Sequence, residues 1–262
     1  MDFDKELQTA IQATKKAGEF IETNFDKLTT IATKNEFKEI VTDLDIKSED
    51  IILSTLRSAF PEYGVISEES PDKNLRKELT WIIDPLDGTA NLALGLPLVA
   101  VSIALQKYKE TVMGVVYHPI RHHRYTGMLG AGSLLDDHEI HVSSIDTLEQ
   151  AQVGHIVSFE EKYKPRALEL VTSLRSQCRR ILDTWTPSME WTLLAQGKID
   201  ALISLGSGVY DRLAGELIVK EAGGIVTDLQ GKAVTDDNIN YILASNNTAL
   251  HQKILNLVGK HY

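Results

Sequence analysis

The chain has 262 residues, of which 43% are hydrophobic and 24% are charged, and its formal net charge is −10 at pH 7. This length and composition are typical of a globular protein that can bury a large core. The acidic balance argues against broad binding to nucleic acids or anionic membranes. It does not exclude a small anionic substrate, because a bound cation inverts the potential around it.

The single cysteine, Cys178, excludes an internal disulfide and fits a reducing compartment. Residues 1–6 lack the basic and then apolar pattern of a signal peptide. No stretch approaches the ~18 apolar residues that would span a membrane. We therefore expect a cytoplasmic protein with neither a membrane nor a nucleic-acid partner.

Two helices are predicted in the first 60 residues. Apolar side chains recur every three or four residues over 3–28, which predicts an amphipathic helix of about seven turns. A short strand over 29–33 and a polar loop over 34–39 follow. The second helix begins at Thr42 or Asp43 and ends before Pro61, with the residues Ile46, Ile52, Leu53, Leu56 and Phe60 predicted to face inward.

Asp45 lies in the first turn of this second helix. A carboxylate at that position stabilises the unpaired amides of the helix start. Residue type alone therefore favours a structural role for Asp45.

The residues from 81 to 97 organise the rest of the chain. An apolar Trp-Ile-Ile run, typical of a buried strand, ends at Asp84, and Asp87 follows three positions later. Neighbouring carboxylates repel unless a cation lies between them, and oxygen ligands suit a hard cation such as Mg²⁺. Gly88 and Thr89 can then open a helix whose free N–H groups face an anion. The string indicates metal-assisted phosphate chemistry, although Asp-Pro-x-Asp-Gly by itself is equally typical of a surface turn.

After the two helices, strands dominate up to about residue 142, and strands and helices alternate after it. We therefore predict an N-terminal α+β domain over 1–145 and a C-terminal α/β domain over 146–262. Loops are predicted over 71–78 and 206–211. The further predicted elements are strands over 63–66, 98–106, 111–118, 153–158, 179–182, 199–205, 225–228 and 241–244, several strands within 125–142, and helices over 162–177, 188–195, 212–222 and 247–258.

Two separated segments resemble one known family. The residues Trp81, Asp84, Pro85, Asp87, Gly88, Thr89, Asn91 and Pro97 match the signature W-I-D-P-(I/L)-D-G-T-x-N with its following proline. Residues 210–215 (YDRLAG) and 221–224 (EAGG) are similar to its second signature, W-D-x-A-A-G followed by E-A-G-G. Both signatures are those of the inositol monophosphatase family. Tyr210 in place of Trp, and Ser67 in place of the Gly before Glu68, are mild departures.

The resemblance implies the layered α-β-α-β-α sandwich of the inositol monophosphatase and sugar phosphatase type. It also implies a magnesium-dependent, lithium-sensitive phosphomonoesterase that is commonly a homodimer and that takes a small phosphorylated substrate. By the same resemblance, Glu68, Asp84 and the carbonyl of Leu86 hold one Mg²⁺. Asp84, Asp87 and Asp211 hold a second, and Glu68 holds a third through water.

The resemblance also assigns residues to the attacking water and to the substrate. Thr89, held by Asp45, orients or deprotonates the water, and Glu68 joins them as a catalytic residue. The N–H groups of Gly88 and Thr89 receive phosphate oxygens. The residues expected to contact the substrate are Asp87, Gly88, Thr89, Trp185, Ser204 and Asp211.

The substrate itself is left open. Ser204 stands where inositol-specific members carry an acid, and residues 184–188 (TWTPS) replace a Gly-Ser-Ala-Ala run, which adds the bulky Trp185. The alternatives to inositol monophosphate are fructose 1,6-bisphosphate, NADP and phosphoadenosine phosphate. A different class, a non-catalytic binding or regulatory member of the same fold, also remains, although all five acids are present.

Overall fold

The computed structural model describes residues 3–27, 31–33, 40–70, 77–234 and 240–258. This part of the chain forms seven α-helices and fourteen strands. The predicted polar loop over 34–39 and most of the loop over 71–78 lie outside the described residues.

Helices α1 (Asp4–Asn24) and α2 (Asp43–Ala59) form the first layer. The Thr42 hydroxyl caps α2 by accepting from the Leu44 amide at 3.2 Å, while the Asp45 carboxylate accepts from the Thr42 amide at 2.8 Å. This capping box explains why the helix begins where the sequence predicts. The inward orientation predicted for Ile46 is wrong, since this side chain is 52% exposed in the first turn of α2.

The described strands over 64–139 form a sheet in which chain order and spatial order coincide. Only the pair β3 and β4 is parallel, and every later pair is antiparallel. Its strands are β3 (Gly64–Ser67), β4 (Leu79–Asp87), β5 (Ala100–Lys107), β6 (Glu110–His118), β7 (His123–Met128), β8 (Gly132–Leu135) and β9 (His138–Glu139), and the separate pair β1 (Ile31–Thr33) and β2 (Ile40–Thr42) precedes them. A short helix, α3 (Thr89–Ala93), follows β4 directly.

A second sheet has the order β11-β10-β12-β14-β13 among the described strands. In it β10 is parallel to β11 and β12, whereas β14 is antiparallel to both of its neighbours. The remaining elements are β10 (Gln152–Val157), α4 (Lys164–Arg175), β11 (Arg180–Leu182), α5 (Pro187–Ala195), β12 (Ala201–Leu205), α6 (Val209–Glu221), β13 (Ile225–Asp228), β14 (Tyr241–Ser245) and α7 (Thr248–Val258).

Three buried apolar clusters stack these elements into layers. Because strand side chains alternate between faces, Trp81 and Ile83 join the cluster under α1 and α2, whereas Ile82 joins the one under α5 and α6. The second sheet likewise packs Leu202 toward α5 and α6, and Ile203 toward α4 and α7. The result is the predicted α-β-α-β-α sandwich, which is confirmed.

Helix α6 packs closely on the first sheet although it comes later in the chain. At Gly114 in β6, an added Cβ would lie 2.7 Å from the Ala214 carbonyl oxygen of α6. The division into domains over 1–145 and 146–262 stays a prediction. No helix in the described ranges has the length and apolar character needed to cross a bilayer.

We predict that Gly114→Ala lowers the free energy of unfolding by about 1–3 kcal/mol, because the new methyl group meets backbone atoms that cannot rotate away. Gly127→Ala is the matched control, since its Cβ would meet Ile218 of the same helix at 3.1 Å and needs less displacement. Denaturant titration measures both. Equal losses in the two variants would contradict this account of the packing.

Candidate metal and phosphate site

Three carboxylates from three elements converge at the end of β4. Since β3 and β4 are parallel, Glu68 emerges beside Asp84, and the Glu68 amide donates to the Ile83 carbonyl at 3.1 Å. Asp211 arrives from the first turn of α6, where its carboxylate accepts from the Gly208 amide at 2.9 Å. One oxygen of each of Glu68, Asp84 and Asp211 lies within 4.8 Å of the others.

Asp87 lies on the same strand but is held differently. Strand β4 does not end at Asp84 as predicted; it continues to Asp87 through a register shift between the two acids. The Asp87 carboxylate accepts from the Ser188 amide at 2.6 Å and from the Ser188 hydroxyl. Asp87 is therefore not one of the three clustered carboxylates, and its place as a metal ligand stays a prediction.

Burial and the repulsion of neighbouring charges make Asp84 and Asp87 hard to ionise. Burial first, and the adjacent charge of Glu68 next, raise the pKa of Asp84 well above its usual range. Burial and then the charge of Asp211 raise the pKa of Asp87 in the same direction. A cation among these oxygens removes both the repulsion and the desolvation penalty. An all-oxygen donor set of this kind fits a hard divalent cation such as Mg²⁺.

Thr89 and Asp45 form a hydroxyl–carboxylate pair beside the cluster. The Thr89 hydroxyl lies 2.8 Å from Asp45 Oδ1 and 3.1 Å from the Leu86 carbonyl oxygen, and its single proton favours the shorter bond. Burial raises the pKa of Asp45, while bonds from Thr42 and Thr89 oppose the rise. Asp45 thus has the predicted helix-end role and also contacts Thr89, one through each carboxylate oxygen.

Gly88 links the metal ligands to the start of α3. Its φ is +91°, a left-handed conformation that favours glycine, and a Cβ there would lie 2.5 Å from the Thr186 hydroxyl. The backbone at Gly88 therefore adopts a tight turn and packs closely against the Thr186 side chain. The first amides of a helix have no acceptor within the helix, so those of Gly88 and Thr89 are candidates to receive an anion.

The segment over 183–188 forms the opposite wall of the site. The Asn91 side-chain amide donates to the Thr184 carbonyl at 2.7 Å, to the Thr186 hydroxyl at 2.9 Å and to the Leu98 carbonyl at 3.0 Å. Trp185, between these two threonines, is 54% exposed. The predicted substrate residue Trp185 therefore lies one position from the contact on Gly88.

Sequence reasoning missed two polar residues of this wall. Ser188 bonds to Asp87, and the buried Glu190 accepts from the Thr184 amide at 2.7 Å and from the His155 amide at 3.1 Å. Burial raises the pKa of Glu190 to about 7. Pro187, at the start of α5, was the sequence signal that could have revealed Ser188. The residue after such a proline lies in the first turn of a helix, where its amide has no acceptor within the helix and can donate elsewhere.

Ser204 lies within β12 and is 1% exposed. Its hydroxyl is 2.5 Å from the hydroxyl of Ser207, in the loop that leads to Asp211. The structure thus joins Ser204 to that loop through Ser207, and direct contact of Ser204 with a substrate stays a prediction.

The comparisons with known proteins agree with this geometry. A sequence model described as the inositol monophosphatase family matches residues 2–261. The Nus factor SuhB of Vibrio cholerae serotype O1 is 35% identical over 228 residues, which are 86% of this chain and 85% of that protein. The Nus factor SuhB of Escherichia coli K12 is 31% identical over 252 residues, 95% of this chain and 92% of that protein.

Solved structures of similar proteins share the whole fold. The extragenic suppressor protein SuhB of Bartonella henselae superposes with a TM-score of 0.91 at 28% identity, covering 99% of this chain and 100% of that one. The IMPase of Thermotoga maritima superposes with a TM-score of 0.88 at 28% identity, covering 98% of this chain and 97% of that one.

We predict that Asp84→Asn raises the melting temperature of the metal-free protein and abolishes its stabilisation by Mg²⁺. Because the pKa of Asp84 is raised in the folded protein, the wild-type fold is most stable below the ordinary aspartate pKa of 3.8 and loses that stability as the pH rises through the raised pKa. The advantage of the variant should therefore be larger at pH 8 than at pH 5. A gain of about 1 kcal/mol corresponds to about 2–4 °C in a chain of this size.

Asp200→Asn serves as the control, because Asp200 is also buried but bonds to Ser143 and Gln152. It should destabilise the fold and leave the Mg²⁺ response intact. An unchanged Mg²⁺ response in Asp84→Asn would exclude Asp84 as a ligand.

Proposed function

Because this chain belongs to the inositol monophosphatase family, we propose that it is a Mg²⁺-dependent phosphomonoesterase. Its substrate is inositol monophosphate or a related small phosphate ester, and the nucleophile is water. The observation that carries the proposal is the cluster of Glu68, Asp84 and Asp211 oxygens within 4.8 Å of one another. Crowded carboxylates such as these, of which Asp84 is buried and the other two are half-buried, gain from divalent cations, which in turn bind phosphate esters.

In the proposed site, Glu68, Asp84 and the Leu86 carbonyl hold one Mg²⁺. Asp84, Asp87 and Asp211 hold a second ion, and Glu68 holds a third through water. Bound Mg²⁺ supplies Lewis-acid polarisation of the phosphoryl group and lowers the pKa of water. The buried positions of Asp84 and Asp87 exclude bulk solvent from one side of the reacting group.

The Thr89–Asp45 pair positions and deprotonates the attacking water. The Thr89 hydroxyl donates its proton toward Asp45 Oδ1, so a lone pair on the Thr89 oxygen is left to accept a proton from water. As water attacks phosphorus, its proton passes to Thr89 and the Thr89 proton passes to Asp45. The P–O bond to the alcohol breaks at the same time, and the departing alkoxide takes a proton from a solvent water molecule. The raised pKa of Asp45 favours its holding that proton. The Gly88 and Thr89 amides receive phosphate oxygens, and the reaction needs no covalent intermediate.

The proposal extends to the protein as a whole. We infer a cytoplasmic homodimer, inhibited by Li⁺, with domains over 1–145 and 146–262. Its substrate range is broad: it hydrolyses inositol monophosphate but accepts fructose 1,6-bisphosphate, NADP or phosphoadenosine phosphate comparatively well. The support is Ser204, a neutral side chain where inositol-specific members carry an acid that repels a second phosphate.

A second candidate is a non-catalytic binding or regulatory role. The observation in its favour is that the curated relatives are named Nus factor SuhB. For this reason the expected absence of a nucleic-acid partner stays a prediction. The retained carboxylates favour the enzyme, because a binding role alone does not require them.

A Mg²⁺ titration of phosphate release over the four esters separates the two candidates. The proposed enzyme releases phosphate from at least one ester only when Mg²⁺ is present, and Asp84→Asn abolishes the release. Absence of release from all of them at saturating Mg²⁺ would favour the binding role.

We predict that Thr89→Ala lowers kcat by about 10²-fold or more, the scale of a lost acid–base group. KM should change far less, since backbone amides and metal ions hold the phosphate. Asp45→Asn should add little in the Thr89→Ala background, because the two residues act as one unit. Steady-state kinetics of the single and double variants measure both effects, and an effect confined to KM would make Thr89 a binding residue.

We predict that Ser204→Glu shifts the ratio of kcat/KM values toward inositol monophosphate and away from doubly phosphorylated esters. A carboxylate accepts stronger bonds from ring hydroxyls than a neutral hydroxyl does, and the difference corresponds to about 1–3 kcal/mol. Ser204→Gln is the uncharged control. An unchanged ratio in the glutamate variant would show that Ser204 does not set selectivity.

A further inference from the structure

Trp185 has an unusual backbone for a large side chain. Its φ is +56°, in the left-handed region that favours glycine. Residues held in this region persist where the surrounding structure imposes the conformation, and they are frequent at ligand-binding sites.

The neighbours of Trp185 impose that conformation. Thr184 is bonded through its amide and its hydroxyl to Glu190, at 2.7 and 2.9 Å, and through its carbonyl to Asn91. Thr186 is fully buried and donates to the Leu98 carbonyl at 2.8 Å. The backbone is thus fixed on both sides of a residue that is itself 54% exposed.

This exposed ring lies close to the proposed phosphate site. Thr186 packs on Gly88, and Ser188 donates to Asp87 at 2.6 Å. Three residues of extended chain span at most about 11 Å, which limits the distance between the Trp185 and Ser188 backbones. An alcohol group attached to a phosphate at Gly88 therefore lies within reach of the indole ring.

The exposed Trp185 ring and the exposed leucines of the segment over 91–98, which Asn91 joins to Thr184, favour a flat, uncharged ring over a polyol. Leu94 and Leu96, 63% and 46% exposed, lie on the segment that Asn91 joins to Thr184. Apolar side chains offer no hydrogen bonds to the hydroxyls of a polyol. An indole face, by contrast, stacks on any nucleobase, whichever hydrogen-bond donors and acceptors the base carries.

Resting on the proposed function, we propose that Trp185 is a specificity-determining residue whose indole face stacks on the base of a nucleoside phosphate. Among the ester classes the site accepts, it selects those whose alcohol carries a nucleobase.

The kinetic test compares adenosine 2′-monophosphate with glycerol 2-phosphate, both monoesters of secondary alcohols. Trp185→Gly should lower the ratio of their kcat/KM values about 10-fold, which corresponds to about 1.4 kcal/mol, with most of the change in KM. Trp185→Phe should keep most of the ratio. Equal changes for the two esters in Trp185→Gly, or no change for either, would overturn the proposal.

Tyr108→Gly is the matched control. Tyr108 is also an exposed aromatic residue with a φ of +56°, but it lies in the turn between β5 and β6. Glycine relieves the same backbone strain at either position, so both variants should fold and melt at or above the wild-type temperature. Only Trp185→Gly should change the substrate ratio; an equal shift in Tyr108→Gly would overturn the proposal.

Fluorescence tests the stacking independently of turnover. Trp81 and Trp191 are 0% exposed, so Trp185 is the tryptophan that a dissolved base can reach. With Mg²⁺ present, adenosine 2′-monophosphate should saturably quench the fluorescence of the slow Thr89→Ala protein, and the added change Trp185→Phe should remove the quenching. Quenching combined with no phosphate release by the wild-type protein would refute the proposed enzyme and retain the base site; absence of saturable quenching would overturn the base site.

Discussion

Repulsion among carboxylates at the end of β4 is the constraint on which the site depends. Asp84 is 1% exposed on β4, Glu68 follows the neighbouring strand β3, and Asp211 lies in the first turn of α6. Like charges at this separation, with Asp84 out of contact with water, oppose folding. A chain that keeps them has to compensate with a cation, and the same cation attracts a phosphate. In the metal-free protein the carboxylates that the chemistry needs therefore destabilise the fold. In the metal-bound protein the same carboxylates serve both stability and chemistry.

The layered fold brings these groups together from distant parts of the chain. Parallel pairing of β3 and β4 sets Glu68 beside Asp84, and the close approach of α6 to the first sheet delivers Asp211. The first helical layer supplies Asp45, whose other oxygen caps its own helix. The middle layer supplies Ser188. No single layer holds the complete set, so the packing between layers determines the geometry of the site.

The carboxylates could be predicted from the sequence because most of them lie in two contiguous motifs with a recognisable pattern. The bonds between Asp87 and Ser188, and between Asn91 and Thr184, could not, since they join residues about a hundred positions apart. The exposure of Ile46 was missed because helical periodicity shows which residues share a face but not how far the neighbouring layer extends. The left-handed backbone of Trp185 was missed because sequence propensities predict a left-handed conformation at glycine and not at tryptophan.

Anomalous diffraction from crystals soaked in Mn²⁺, a substitute for Mg²⁺, tests the central claim most directly. We expect a strong peak in direct contact with the carboxylate oxygens of Glu68, Asp84 and Asp211, and a weaker or absent peak in crystals of Asp84→Asn. Ordered carboxylates with no peak among them at saturating Mn²⁺, or a peak only elsewhere on the molecule, would contradict the account.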